Sequence, residues 1–271
     1  MKEWRLIDGG PLDGASNMAV DEALLNCFKH ESSTPVFRIY SWEPPALSLG
    51  RFQKAGEVLD HDRCQAADVA VVRRITGGGV IFHAEELTYS LVCAPHHVPP
   101  VASIKESFWV LTSFLIRFYR KLGLEPSYAV ESSSRKSSLG EQTHFCFAGK
   151  EAYDILIDSR KIGGNAQRRL KNVIFQHGSI PIVNRARFGA SFLCEPPEGI
   201  EHDVTSLRDL GVKEDIDSLK RLISGAFAET VPAILREDTL TEEEQRVASS
   251  LTMLKHSRGL WVWEGMDNRV P

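Results

Sequence analysis

At 271 residues the chain is long enough to bury a full hydrophobic core. With 32 basic against 36 acidic side chains the formal net charge is −4, so no global field draws in nucleic acid, and 42% apolar with 25% charged content is ordinary for a globular chain. Five scattered cysteines without a C-x-x-C pair, and no H-E-x-x-H, argue against a disulfide framework or a zinc site and for a reducing compartment. The N-terminus has no signal-peptide core and no run of about 18 apolar residues spans a membrane, so the expected location is the cytoplasm, with neither nucleic acid nor membrane as partner.

Residues 4–8 read as a first strand, and Gly9 to Gly14 as a turn-rich break. Ser16 or Asn17 is expected to cap a helix to about Lys29, with Asp21 and Glu22 as helix-start charges. Val36 to Tyr40 reads as a strand that Glu43-Pro44-Pro45 interrupts and Ala46 to Gly50 resumes; residues 57–67 look helical. The stretch 71-VVRRITGGGVIFHAEELTYSLV-92 organises the rest. Two β-rich segments flank three glycines, the pattern of a hairpin whose connection approaches a ligand closely. Its backbone N–H groups stand uncovered for a carboxylate, phosphate or thioester carbonyl, and Arg73 and Arg74 add positive charge. No Gly-Lys-Ser/Thr follows and no helix opens there, which excludes a Walker loop and a dinucleotide fingerprint.

Ser103 and Glu106 carry the spacing of a capping box for a helix whose apolar stripe runs from Ile104 to Leu122, stopped by Gly123. A polar loop follows at 131–142. Ala152 to Ile157 is a strand, Asp158-Ser159 a turn and Arg160 to Ile162 a returning strand, ending in a second small-residue loop, Gly163 to Gln167. Val173 to Phe175 continues into Gln176-His177-Gly178-Ser179-Ile180. Two glycine-bearing loops on adjacent hairpins are expected to share a pocket. Asp215 to Thr230 reads as helix, Thr241 and Glu244 open another to about Lys255, and the aromatic tail from Gly259 is expected to cover a sheet edge. No repeat or second core appears, so residues 1–271 read as one domain.

Among the cysteines, Cys146 stands at the exit of the polar loop, 15 residues before Lys161. A nucleophilic thiol needs positive charge nearby, and a lysine in a desolvated site supplies it and shuttles the proton. Spacing alone leaves open a surface lysine and a buried cysteine. Cys27, on an apolar helix face, and Cys93, at a strand end, read as inert core thiols.

Three motifs in order, 73-RRITGGGVIFH-83, 161-KIGGNAQ-167 and 176-QHGSIP-181, with 16-SNMAVDEALL-25 and 50-GRFQ-53, give the chain its family likeness. It resembles the lipoate–protein ligase and octanoyltransferase superfamily, which shares its fold with biotin–protein ligase. The resemblance implies an α+β fold, a mixed and mostly antiparallel sheet flanked by helices, with an acyl tunnel under the glycine-rich segment lined by Val72, Ile81 and Ile162. Further, 83-HAEELTYS-90 and 146-CFAGKEAYDI-155 resemble cysteine-dependent octanoyltransferases. These take octanoyl from octanoyl-acyl carrier protein as a cysteine thioester, without a cofactor, and pass it to a lysine of a lipoyl domain such as the glycine-cleavage H protein. The resemblance implies Cys146 as nucleophile and Lys161 as the group that tunes it, with no metal. Substrate contacts are expected at Arg51, Arg73, Arg74, Gly77, Gly78, Gly79, His83 and Tyr89, and at Gly163, Gly164, Asn165, Ala166, Gln167, His177, Gly178 and Ser179. The alternative within the superfamily is a lipoate–protein ligase that uses ATP and Mg to make lipoyl-AMP; the triplet Gly77-Gly78-Gly79 is typical of ligases.

Overall fold

The computed structural model describes residues 1–100, 103–132 and 153–265. In order these form β1 (Lys2–Leu12), α1 (Gly14–Cys27), β2 (Val36–Trp42), β3 (Ala46–Leu49), α2 (Ala55–Val58), α3 (His61–Ala66), β4 (Ala70–Arg73), β5 (Ile81–His83), β6 (Glu86–Cys93), α4 (Ile104–Lys121), β7 (Ser127–Tyr128) and α5 (Ala129–Ser132). Then come β8 (Ile155–Ile157), β9 (Arg160–Lys161), β10 (Gly164–Leu170), β11 (Val173–Pro181), α6 (Ala186–Ala190), α7 (Ile200–Asp203), α8 (Ile216–Thr230), β12 (Ala233–Glu237), α9 (Glu242–Leu251) and α10 (Gly259–Glu264). Among the described residues no helix is long and apolar enough to cross a membrane.

A six-stranded sheet in the order β10-β11-β6-β2-β1-β12 is joined by two three-stranded sheets, β4-β3-β5 and β7-β8-β9. In the large sheet β1 runs parallel to β2 and β12, and the other pairs are antiparallel, which is the mixed α+β arrangement the resemblance implies. Strand β6 shows why this sheet is buried on both sides. Leu87, Tyr89, Leu91 and Cys93 alternate onto one face, where they meet Phe37, Phe114, Phe118 and Phe227 of β2, α4 and α8. Phe37 and Phe227 stack 4.2 Å apart at 6°. Glu86, Thr88 and Ser90 occupy the other face and are equally buried.

The covering helices follow their sequence signals. Ser103 accepts from the Glu106 N–H at the start of α4, which bends away at Gly123 with φ +76°. Asp215 caps α8 through the Ser218 N–H, and Leu219, Ile223, Ala226 and Phe227 form its buried stripe. Each fully buried side chain of this kind contributes roughly 1.5–3 kcal/mol of transfer free energy, so the two stripes fix one face of the sheet.

Several expectations need correction. The first strand continues to Leu12 through a bulge at Asp8–Gly10, where Gly10 supplies φ +60°, instead of breaking at Gly9. Asp13, not Ser16 or Asn17, caps α1, accepting from the Ser16 N–H. Asp21 and Glu22 are buried within that helix, not solvated at its start; Glu22 is held by Lys255 Nζ and His256 Nε2, both at 2.8 Å. The glycine segment is not a hairpin tip, because β3 lies between β4 and β5, parallel to one and antiparallel to the other. Gly164 to Gln167 belong to strand β10, paired with β11 residue for residue, not to a loop. The tail does pack on a sheet edge, at β4, and does so as helix α10 with Trp261 buried; β12 is a strand that periodicity does not announce. Cys146, and residues 133–142 of the polar loop, lie outside the described residues.

Candidate active site

On the polar face of β6 and β11 the strands set Thr88 opposite Ser179 and Ser90 opposite His177, while β10 sets Gly164 opposite Ser179 and Asn165 opposite Gly178. The segment that carries the three glycines passes over these strands and leaves a narrow slot of about 40 Å³. Met18, Tyr40, Trp42 and Ile81 give the slot an apolar wall, and Ser48, Arg74, His83, Thr88, His177 and Ser179 a polar one. Gly77, Gly78, Gly164, Asn165, Ala166 and Gly178 complete the lining, and of all these only Gly77, Gly78, Asn165 and Ala166 are not buried, which puts the mouth between the two glycine-bearing segments.

The paired arginines diverge. Arg74 Nη2 donates to the carbonyls of Gly77 and Gly79 at 2.9 and 2.7 Å, and Nη1 to the Ser48 carbonyl at 2.9 Å, so it curls the glycine segment onto β3. Arg73 faces away from the slot. Its guanidinium donates to Trp261, Val262, Gly50, Arg51 and Gln53 carbonyls within 3.2 Å. The α10 carbonyls are the negative end of that helix, a fitting seat for a buried cation.

Two buried carboxylates organise the polar wall. Asp21 receives Arg38 Nη1 at 2.7 Å, Ser90 Oγ at 2.8 Å and Tyr40 OH at 2.8 Å, and faces His177 Nδ1 at 3.6 Å. Burial alone would raise the Asp21 carboxyl, but Arg38, aided by His177 and Ser90, outweighs it and holds the group below its ordinary value. Burial pushes the His177 imidazole down despite the pull of Asp21, and its Nε2 contacts Thr76 Oγ1 at 2.7 Å, just ahead of the glycines. Glu86 accepts from Thr88 and Ser179 hydroxyls at 2.5 Å and meets His83 Nδ1 at 2.7 Å; His83 Nε2 reaches Ser48 Oγ at 2.7 Å.

Behind the slot, on the face of the sheet that carries Tyr89, amides form a second network. Tyr89 OH donates to Asn165 Oδ1 at 2.7 Å and accepts from Gln176 Nε2 at 3.0 Å, while Gln167 Nε2 donates to Gln176 Oε1 at 3.0 Å. Gly178 leaves room for this: a Cβ there would stand 2.1 Å from Asn165 Oδ1 and 2.6 Å from the Tyr89 ring. Gly163, with φ +80°, passes so close to β11 that a Cβ would lie 2.1 Å from the Ser179 carbonyl oxygen. Two residues before it, buried Lys161 Nζ is 2.7 Å from Asp154 Oδ2.

Of the residues expected from sequence, Arg74, Gly77, Gly78, His83, Gly164, Asn165, Ala166, His177, Gly178 and Ser179 line the slot together. Arg73, Gly79, Tyr89, Gly163 and Gln167 do not line it but hold or adjoin residues that do, whereas Arg51, bonded to the Thr76 carbonyl, and Lys161, on β9 with Asp154, neither line it nor touch its lining through these bonds. Of the expected tunnel residues only Ile81 lines the slot, whereas Val72 packs behind it with Met18 and Tyr40, and Ile162 belongs to the core on the opposite face of the sheet. Sequence reading missed Met18, Tyr40, Trp42, Ser48, Thr88 and the buried acids Asp21 and Glu86. Glu86, Thr88 and Ser90 alternate with apolar residues along β6, a pattern that reads as an ordinary solvated strand face and so did not single them out.

Residues 13–228 match the family described as lipoyl protein ligase A/B catalytic domain. An octanoyltransferase LipM from Kyrpidia tusciae is 33% identical over 271 residues, covering 96% of this chain and 98% of that protein. A lipoate-protein ligase A solved with ATP superposes with a TM-score of 0.82 at 25% identity, covering 98% of this chain and 100% of that one. A bipartite lipoate protein ligase of an archaeal lipoylation system, described with its E2 lipoyl domain from Thermoplasma acidophilum, has the same fold, with a TM-score of 0.82 at 24% identity and full coverage of both chains. With the motifs, the fold and near-complete coverage in agreement, the chain is an acyltransferase and belongs to the lipoyl protein ligase A/B catalytic domain family.

Proposed function

We propose that the protein transfers an octanoyl group from octanoyl-acyl carrier protein to one lysine of a lipoyl domain, the glycine-cleavage H protein being one such acceptor, in the cytoplasm. The observation that carries this reading is the slot: thin, buried behind a mouth of glycines, apolar along one wall and hydroxyl-rich along the other. The slot is closed down to about the volume of one water, so it must widen to admit an acyl chain, and each methylene then buried contributes about 0.8 kcal/mol. The name of the Kyrpidia tusciae relative supports the octanoyl group.

In this reading the Cys146 thiolate attacks the carbonyl carbon of the octanoyl thioester. A carbon–sulphur bond forms to the enzyme, the one to the carrier's pantetheine arm breaks, and the departing sulphur takes a proton from Lys161. Backbone N–H groups near Gly163-Gly164 or in the Gly77–Gly79 segment hold the oxyanion. The acceptor lysine then attacks the acyl-enzyme and leaves as the amide. Thioester to amide is downhill, so no nucleotide is needed. The Gly77-Gly78-Gly79 triplet and the likeness to an ATP-bound ligase favour a second reading, activation of a free acid as its adenylate.

Intact mass spectrometry after mixing with octanoyl-acyl carrier protein, without ATP, separates the two. An octanoyl adduct that hydroxylamine removes and Cys146→Ala abolishes is the expected result. No adduct, with ATP-dependent labelling of a lipoyl domain by free octanoate or lipoate, would replace this reading by the ligase.

A further inference from the structure

His83 is a buried imidazole that the mechanism above does not use. Its ring lies on Trp42, with centroids 3.9 Å apart and planes 9° from parallel. Glu86 already accepts from two hydroxyls, so it faces His83 Nδ1 as an acceptor and the proton of the neutral ring sits there. Nε2 is then itself an acceptor, and the Ser48 hydroxyl, 2.7 Å away, donates to it. A hydroxyl, an imidazole and a buried carboxylate in line are the arrangement by which a proton is withdrawn through a hydroxyl. Both Ser48 and His83 line the slot.

The acceptor lysine arrives as an ammonium and has no lone pair until it loses a proton. Resting on the function proposed above, we propose that Ser48 and His83, positioned by Glu86, take that proton in the second half of the transfer. One ammonium N–H breaks as its proton passes to Ser48 Oγ, and the Ser48 proton passes to His83 Nε2. The freed lone pair then forms the C–N bond to the acyl carbon, the C–S bond breaks, and the second amine proton leaves with sulphur as the Cys146 thiol. The third stays on the amide nitrogen. His83 is left as an imidazolium beside Glu86 and returns its proton to water. The other ionisable groups around the ring are Arg74 after β4, His177 on β11, Asp21 on α1 beyond it and the Tyr40 hydroxyl on β2. Arg74 is tied to the glycine-segment carbonyls and to Ser48, its Nη1 donating to the Ser48 carbonyl at 2.9 Å and to Ser48 Oγ at 3.2 Å, and burial disfavours a charge on His177, which leaves Glu86 as the group that offsets the imidazolium.

To test this, acyl-enzyme is formed first from octanoyl-acyl carrier protein, and its discharge onto a lipoyl domain is followed by rapid quench from about pH 5 to about pH 9. The wild-type rate is expected to rise along an acid limb. Glu86→Gln keeps the hydrogen-bonding shape but removes the charge; its discharge should slow by about tenfold, with the loss concentrated on the acid limb. His83→Gln should lose the limb and about 100-fold in rate, with KM for the lipoyl domain held. Losses uniform across pH in both variants would make the pair purely structural and overturn the proposal. If His83→Gln does not fold, Glu86→Gln and Ser48→Ala decide the matter by the same limb. A wild-type protein that never forms acyl-enzyme is a different result, since it removes the transfer itself.

Discussion

Arg73 and Arg74 are adjacent, identical and equally buried, yet they serve opposite sides of the molecule. Successive residues at a strand end point to opposite faces. Arg73 therefore gathers the carbonyls of the 50–53 turn and of α10, and Arg74 gathers those of the glycine segment and β3. The first joins distant parts of the chain, 188 residues apart at Trp261, whereas the second shapes a few residues around the slot. A sequence that reads as one basic patch is two unrelated devices, neither of them a free charge.

The sharpest way to break this comparison is to remove each guanidinium in turn. Arg73→Met leaves several buried carbonyls without a donor, at about 1–3 kcal/mol for each that water cannot reach, so a loss of roughly 3–5 kcal/mol is expected in urea unfolding. Arg74→Met is expected to lose less stability and proportionally more transfer rate, because its partners are local. Equal stability losses, or a rate loss confined to Arg73→Met, would erase the distinction.

Gly50 is where the two devices touch. Its carbonyl accepts from Arg73 at 2.9 Å, and a Cβ on it would lie 1.9 Å from the Gly78 carbonyl oxygen. Backbone meets backbone there, so Gly50→Ala must push the glycine segment away from β3. The expected stability loss is about 1–3 kcal/mol, with a rise in KM for the acyl donor larger than any fall in kcat. Unfolding and steady-state kinetics on the one variant check both parts.

A smaller effect belongs to acid. The Asp21 carboxyl lies below its ordinary value of 3.8 in the folded chain, after burial is outweighed by Arg38. A carboxyl depressed in this way contributes stability that is complete above the ordinary value and is lost as pH falls through the depressed one. Unfolding free energy measured below about pH 4 should fall more steeply for the wild type than for Asp21→Asn, which carries no such titration. Parallel curves would mean that Arg38 does not hold the charge.

What could be read beforehand follows the same division between local and distant. The α4 stripe and its Ser103 cap were legible because each is fixed within a few residues, whereas the convergence of the two glycine-bearing segments was legible from their shared small-residue character, not from local spacing. The hairpin assigned to the glycine segment failed because β3, more than 20 residues upstream, inserts between β4 and β5. Asp21 and Glu86 were unreadable for a related reason. A carboxylate on a helix or on an alternating strand signals solvent, unless something distant buries it with its donors. Here Arg38, Ser90 and His177 do this for one, and His83 and Ser179 for the other.

The smallest expected effect tests whether the glycine triplet acts as a unit. Gly78 has φ +96°, and a Cβ on it would stand 2.9 Å from Arg74 Nη2, so a side chain there is both strained and in the way of the clamp. Gly77 has no such φ. Its nearest neighbour would be the Phe52 ring at 3.8 Å, an ordinary contact with a side chain that is itself 82% exposed. Gly77→Ala should therefore change unfolding free energy by no more than about 0.5 kcal/mol, whereas Gly78→Ala should lose at least about 1 kcal/mol. Transfer rates should follow in the same order, because only Gly78 bears on the Arg74 clamp. If Gly77→Ala proved the more damaging, its value would lie in close approach of the backbone to substrate at the mouth, and the segment would act there through Gly77, not through the curl that Arg74 imposes.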